Sequence, residues 1–153
     1  MHIKKLIGVI VGIIVMLLAV PLTLTGCNHP PVTEDDFELT ITVEQTMFSP
    51  GDLVSAEITL TNLSGRRLRI SYTHLFHLEI VGVIGSGFKD GLPLFSTLSR
   101  HSSMRRHLEI RIPHTLEVGT FKLLVTADFG VTSNPVGYRG IELTSNKIIL
   151  TIV

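Results

Sequence analysis

The chain has no tryptophan, a single cysteine and no net charge, with 13 Lys and Arg against 13 Asp and Glu in 153 residues. With Cys27 alone, no internal disulfide can form, and the fold must rest on its core. A chain of more than ~100 residues can supply such a core without covalent staples. The missing Trp and Cys pair exclude the antibody-type core, in which a buried indole packs on an inter-sheet disulfide. Near-neutral charge and only 6% aromatic residues argue against a nucleic-acid partner. There is no G-x-S-x-G and no phosphate-binding or dinucleotide loop. Beyond residue 26 there is no repeat and no sustained 3.6-residue apolar period. No enzyme is expected.

What is present begins at the N-terminus. His2, Lys4 and Lys5 precede an apolar run from Leu6 to Val20, the order a secretory signal requires. Leu24-Thr25-Gly26-Cys27 then matches the lipobox at every position, and the segment resembles the signal of bacterial lipoproteins. The resemblance implies cleavage between Gly26 and Cys27 and a covalent lipid (diacylglycerol and palmitate-type acyl chains) on Cys27. One chain binds membranes only marginally, and two or three anchor stably at ~0.8 kcal/mol per buried CH₂. An uncleaved anchor is the alternative, since the 21 residues from Leu6 to Gly26 are long enough to span a bilayer. Pro21 and the small, polar Thr23–Gly26 tail favour processing. Either route places residues 28–153 on the extracytoplasmic side of the cell membrane.

Loss of Lys4 and Lys5 with the leader leaves 11 basic and 13 acidic side chains. Residues 27–65 carry seven acids and no Lys or Arg, whereas residues 66–111 carry eight basic side chains against three acids. That asymmetry fits a site for an anionic partner, or acidic and basic strands facing each other across a sheet. Residues 27–36, with Pro30-Pro31 and Glu34-Asp35-Asp36, read as the lipidated cysteine and a solvated tether. Residues 37–153 read as one domain.

From Phe37 the apolar period is two. Phe37, Leu39, Ile41 and Val43 alternate with polar residues, as do Val54, Ala56, Ile58 and Leu60. Leu68–Tyr72, Phe76–Ile80, Leu108–Ile112, Phe121–Phe129 and Ile148–Ile152 repeat the pattern, with Pro50-Gly51-Asp52 and Asn62–Gly65 as turns. Residues 92–102 are ambiguous, and Gly130–Asn146 reads as turn-rich. About seven strands separated by turns predict an all-β, immunoglobulin-like antiparallel sandwich. The expected core is Leu39, Ile41, Ile58, Leu60, Ile70, Leu78, Ile110, Phe121, Leu123, Val125 and Leu150.

Phe48-Ser49-Pro50-Gly51-Asp52, Ile58-Thr59-Leu60-Thr61-Asn62-Leu63-Ser64-Gly65 and Val118-Gly119-Thr120-Phe121 resemble recurrent marks of immunoglobulin-like domains in bacterial lipoproteins. Val118 and Phe121 stand where Pro and Tyr are usual. Asn62 to Phe129 also resembles the BsuPI-type proteinase-inhibitor domain, which implies an inhibitor as a second function. These motifs consist of turn and core residues and carry no chemistry.

Ser86-Gly87-Phe88-Lys89 has S-x-x-K spacing, but that chemistry needs a helix, and the surrounding glycines disfavour one. His74 and His77 fall on opposite faces of a strand. His101, His107 and His114 are scattered, and Cys27 is committed to lipid, so neither a metal nor a cofactor other than that lipid is expected.

The function that follows is a lipid-anchored cell-envelope protein whose sandwich binds or scaffolds an anionic envelope component or another envelope protein. A cell-surface proteinase inhibitor is the alternative, with an enzyme accessory subunit third. If residues 92–96 add no strand, the loops Asn62–Arg66, Val83–Ser102 and Gly130–Asn146 share one end of the sandwich. Arg66, Lys89, Arg100, Tyr138 and Arg139 would make that end a positive binding surface, with only Asp90 and Glu142 as acids.

Overall fold

The computed structural model describes residues 30–85, 92–132 and 138–153, and the side chains of 84, 85 and 138 are not among them. The compact unit spans Pro31–Val153. Its strands are Phe37–Val43 (β1), Met47–Phe48 (β2), Leu53–Asn62 (β3), Leu68–Tyr72 (β4), Phe76–Ile80 (β5), Ile84–Gly85 (β6), Leu94–Leu98 (β7), Ser103–Arg111 (β8), Gly119–Thr132 (β9), Tyr138–Thr144 (β10) and Ile148–Ile152 (β11). β1-β3-β8 form a small antiparallel sheet, and the remaining strands form a large sheet around β9. Among the described residues all pairings are antiparallel except β11 with β2. The described residues form an all-β, two-sheet sandwich, as the alternation predicts, with more strand segments than the expected seven.

Alternation sets which face each strand buries. Phe37, Leu39 and Ile41 of β1 and Val54, Ala56, Ile58 and Leu60 of β3 point inward from the small sheet. They meet Ile70, Leu78, Leu123, Val125, Ala127, Phe129 and Leu150 of the large one. Phe37 and Phe129 pack edge to face between the sheets, with ring centroids 5.0 Å apart; such pairs add ~0.5–1.5 kcal/mol to their burial. Of the expected core residues only Phe121 is not buried. It keeps the inward phase of β9 but lies near that strand's start, and it is only partly covered.

Two turns account for the first two family-like motifs, and an asparagine outside them closes a strand edge. Gly51 has φ +95°, and a Cβ there would collide with the His114 ring, so only glycine fits. Asp52 Oδ2 accepts from Ser49 N at 2.7 Å, and Gly51 N donates to Ile112 O at 3.0 Å. Asn62, fully buried, donates from Nδ2 to the carbonyls of Arg66 (2.8 Å) and Ser99 (2.9 Å). Its Oδ1 accepts from Ser64 N (3.0 Å) and Ser64 Oγ (2.6 Å). Asn146 Oδ1 accepts from Ile41 N at 2.8 Å and its Nδ2 donates to Ile41 O at 3.1 Å. That amide caps the open edge of β1, a position that would otherwise invite strand pairing.

Several sequence expectations need correction. The C-terminal part of the expected tether belongs to the folded unit: Val32 is 1% exposed. The chain then makes a turn in which Asp36 N donates to Thr33 O at 3.1 Å and Thr33 N to Asp36 Oδ2 at 2.9 Å. Residues 94–98, within the stretch the sequence leaves ambiguous, form a strand paired with β4. The stretch read as a turn from Gly130 to Asn146 contains the end of β9 and all of β10. Ile141 and Leu143 of β10 lie opposite Phe129 and Ala127.

Candidate functional site

The extra strand β7 should have displaced the later loops to the far end of the sandwich, but a compensating feature prevents it. β4 and β5 run along β9 in the same direction, Arg69 to Ser71 opposite Thr132 to Gly130 and Phe76 to Ile80 opposite Ala127 to Leu123. They are two halves of one interrupted path, not a hairpin. The end of β3 and start of β4, the end of β7 and start of β8, and the end of β9 therefore stand at one end, as the registers Leu68–Leu98, Thr61–Ser103 and Arg69–Thr132 require. Arg66 and Arg100 share this end through the Asn62 hydrogen bonds, and Arg139 lies opposite Val131 near it. Arg66 is half-buried, and Arg100 and Arg139 are exposed. Tyr138 pairs with Thr132 through its backbone, and its side chain lies outside the described residues. Gly26, Cys27, Ser86 and Lys89 also lie outside them.

This end is not the uniformly positive surface expected. Leu63 N donates to Asp36 O at 2.8 Å and Phe37 pairs with Asn62, which brings the Glu34-Asp35-Asp36 turn to the same rim. Glu34 and Asp35 are exposed there. Folding of these acids into the domain, rather than into a free tether, makes the rim mixed in charge. His101, between β7 and β8, has φ 54°, a left-handed conformation uncommon outside glycine.

The large sheet carries a second feature that sequence reasoning did not find. Where β4 gives way to β5, the four residues Tyr72 to Leu75 oppose only Asp128 and Phe129 of β9. The surplus leaves the ladder, tied back by Asp128 N donating to Leu75 O at 3.2 Å. The break opens a cavity of about 490 Å³ lined by Ser71, Thr73, His74, Pro93, Asp128 and Gly130, among others. On the adjoining outer face Phe95 lies opposite Ser71, Gly140 opposite Gly130 and Glu142 opposite Asp128. The Arg69 guanidinium carbon sits 4.8 Å from the centre of the Phe95 ring. The sequence signal was the Thr73-His74 interruption between two alternating runs, which reads equally well as an ordinary turn.

On the small sheet His107 Nε2 stands 3.6 Å from Glu57 Oε2, with the His side chain 72% exposed, so the pair contributes little to stability. Among the described residues no group of three His, Cys, Asp or Glu is placed to hold a metal ion.

No family model matches the chain, and no curated protein does. Among solved structures, Spo0M, a sporulation control protein from Bacillus subtilis, is 9% identical with a TM-score of 0.42, over 76% of this chain and 49% of that one. The CARDB domain of a Pyrococcus furiosus protein, in complex with di-metal ions, is 11% identical with a TM-score of 0.43, over 81% and 95%. A β-glucosidase from Erythrobacter marinus is 11% identical with a TM-score of 0.37, over 76% and 15%. The chain thus spans about half the length of Spo0M. Likenesses at this distance carry no inference about ligand or activity.

Proposed function

We propose that the protein is a lipid-anchored, extracytoplasmic binding module, held to the cell membrane through Cys27 and recognising an envelope component with its β-sandwich. The observation that carries the reading is the basic, apolar, lipobox-ended leader directly ahead of the folded unit. Only Asn28 to Pro31 separate Cys27 from buried Val32. Those four residues reach at most ~14 Å when extended, so a lipid on Cys27 would keep the sandwich against the membrane. Rigid strands bearing loops and an open cleft suit recognition. Recognition on the mixed-charge rim would involve Arg66, Arg100 and Arg139 together with the acidic turn, and so would not select for an anionic partner by charge alone.

Cell fractionation tests the anchor. The wild-type protein should sediment with membranes in a form shortened by the leader, whereas Cys27→Ser should accumulate at full length. Equal processing of both would remove the reading.

A further inference from the structure

We infer that the cavity at the β4–β5 break is a binding site for a neutral oligosaccharide; the inference rests on the reading of the sandwich as a binding module. Its volume of about 490 Å³ falls within the ~300–1,000 Å³ typical of small-ligand sites. Its lining mixes the hydroxyls of Ser71 and Thr73, the His74 imidazole and the Asp128 carboxylate with the apolar ring of Pro93.

That mixture selects by chemistry. An anionic ligand would meet the Asp128 carboxylate in the lining and Glu142 opposite it, against the Arg69 guanidinium beside the cavity. A wholly apolar ligand would strip water from the exposed Asp128 carboxylate without replacing its hydrogen bonds, at a cost of ~1–3 kcal/mol or more for such a group. A sugar satisfies both kinds of wall. Its hydroxyls donate to the carboxylate in charge-assisted bonds and exchange bonds with Ser71 and Thr73, and the C–H face of a pyranose ring lies against Pro93.

The floor beside the cavity supports the same conclusion independently. Gly130 and Gly140 face each other inside the β9–β10 ladder, two pairs from its Tyr138–Thr132 end, where glycine weakens a strand and often marks a site of close backbone approach. Gly140 is not needed by its own surroundings. A Cβ there would meet nothing within 4 Å, and its φ is not positive. Asp128 and Glu142 are directly opposite on the same face, a like-charge pair that costs the sheet stability. Arg69, laid on the Phe95 ring across from Ser71, presents flat N–H donors to a chain of sugars running along this face.

The test uses the full-length chain in detergent micelles, titrated calorimetrically with chitotetraose and cellotetraose. At least one should bind saturably, and Gly140→Val should weaken that binding tenfold or more without lowering the thermal midpoint, because the added side chain occupies the open floor. Asp128→Asn should weaken it as well, and this variant decides the matter if Gly140→Val misfolds. No binding of either sugar up to ~10 mM, where a millimolar site would be filled, overturns the site, as does full affinity in both variants. Binding of trilysine in place of the sugars overturns it in favour of a cationic ligand. Lipid on Cys27, measured separately, stands or falls without regard to these outcomes.

Discussion

Asn62 donates from its buried side-chain amide to the Ser99 carbonyl at 2.9 Å, joining the turn that leaves the small sheet to the turn that re-enters it. The same nitrogen reaches Arg66 O, and the Asn62 backbone N–H donates to Ser102 O at 2.9 Å. One residue thus fixes the relative position of the loops bearing Arg66 and Arg100. Asn62→Ala should deprive the Leu98 and Ser99 carbonyls and the Ser64 N–H of this partner and cost ~2–3 kcal/mol, read from urea unfolding. A loss under ~0.5 kcal/mol, typical of surface positions, would show that water replaces the amide.

The two phenylalanines of β9 should separate by burial. Phe129 is 2% exposed and packs on Phe37, so Phe129→Ala should cost ~3–5 kcal/mol. Phe121 is only partly covered, and Phe121→Ala should cost ~1–2 kcal/mol, nearer the average for point substitutions. Equal costs would mean that the strand is shifted against its partner sheet.

The domain boundary makes a third test. A chain beginning at Pro31 keeps Val32 in the core and the Leu63–Asp36 bond. One beginning at Phe37 loses both, and should be less stable by ~2–3 kcal/mol, about one buried valine plus a hydrogen bond. Equal midpoints in urea would return residues 31–36 to the tether.

His101 should be replaceable to advantage. Its left-handed backbone costs roughly 1–2 kcal/mol in a non-glycine residue, partly offset by the larger entropy glycine loses on folding. His101→Gly should therefore raise stability by a few tenths to ~1 kcal/mol, seen as a higher thermal midpoint. A fall would show that the His101 side chain makes compensating contacts.

The sandwich was legible because alternation is a local signal. Leu39-Ile41 and Ile58-Leu60 declare their inward faces without knowledge of their partners, and the turns at Gly51 and Asn62 are written in residue types that few other conformations tolerate. β10 is harder to read because its alternation is confined to Ile141-Glu142-Leu143-Thr144, while Arg139 takes an apolar-phase position and two glycines nearby resemble a loop. The folding of Glu34-Asp35-Asp36 was invisible, since it depends on Leu63 donating to Asp36 from a distant turn. The cavity was hidden for the same reason. Whether Thr73-His74 ends a strand or interrupts one depends on β9, which is paired with both halves.

The most direct test of the anchored-module account is metabolic labelling with a tagged fatty acid, followed by intact-mass measurement of the detergent-extracted protein. The account predicts a labelled chain that begins at Cys27, lacks residues 1–26 and carries the added mass of a diacylglyceryl group, with no label in Cys27→Ser. An unlabelled wild-type chain still bearing its first 26 residues would contradict it.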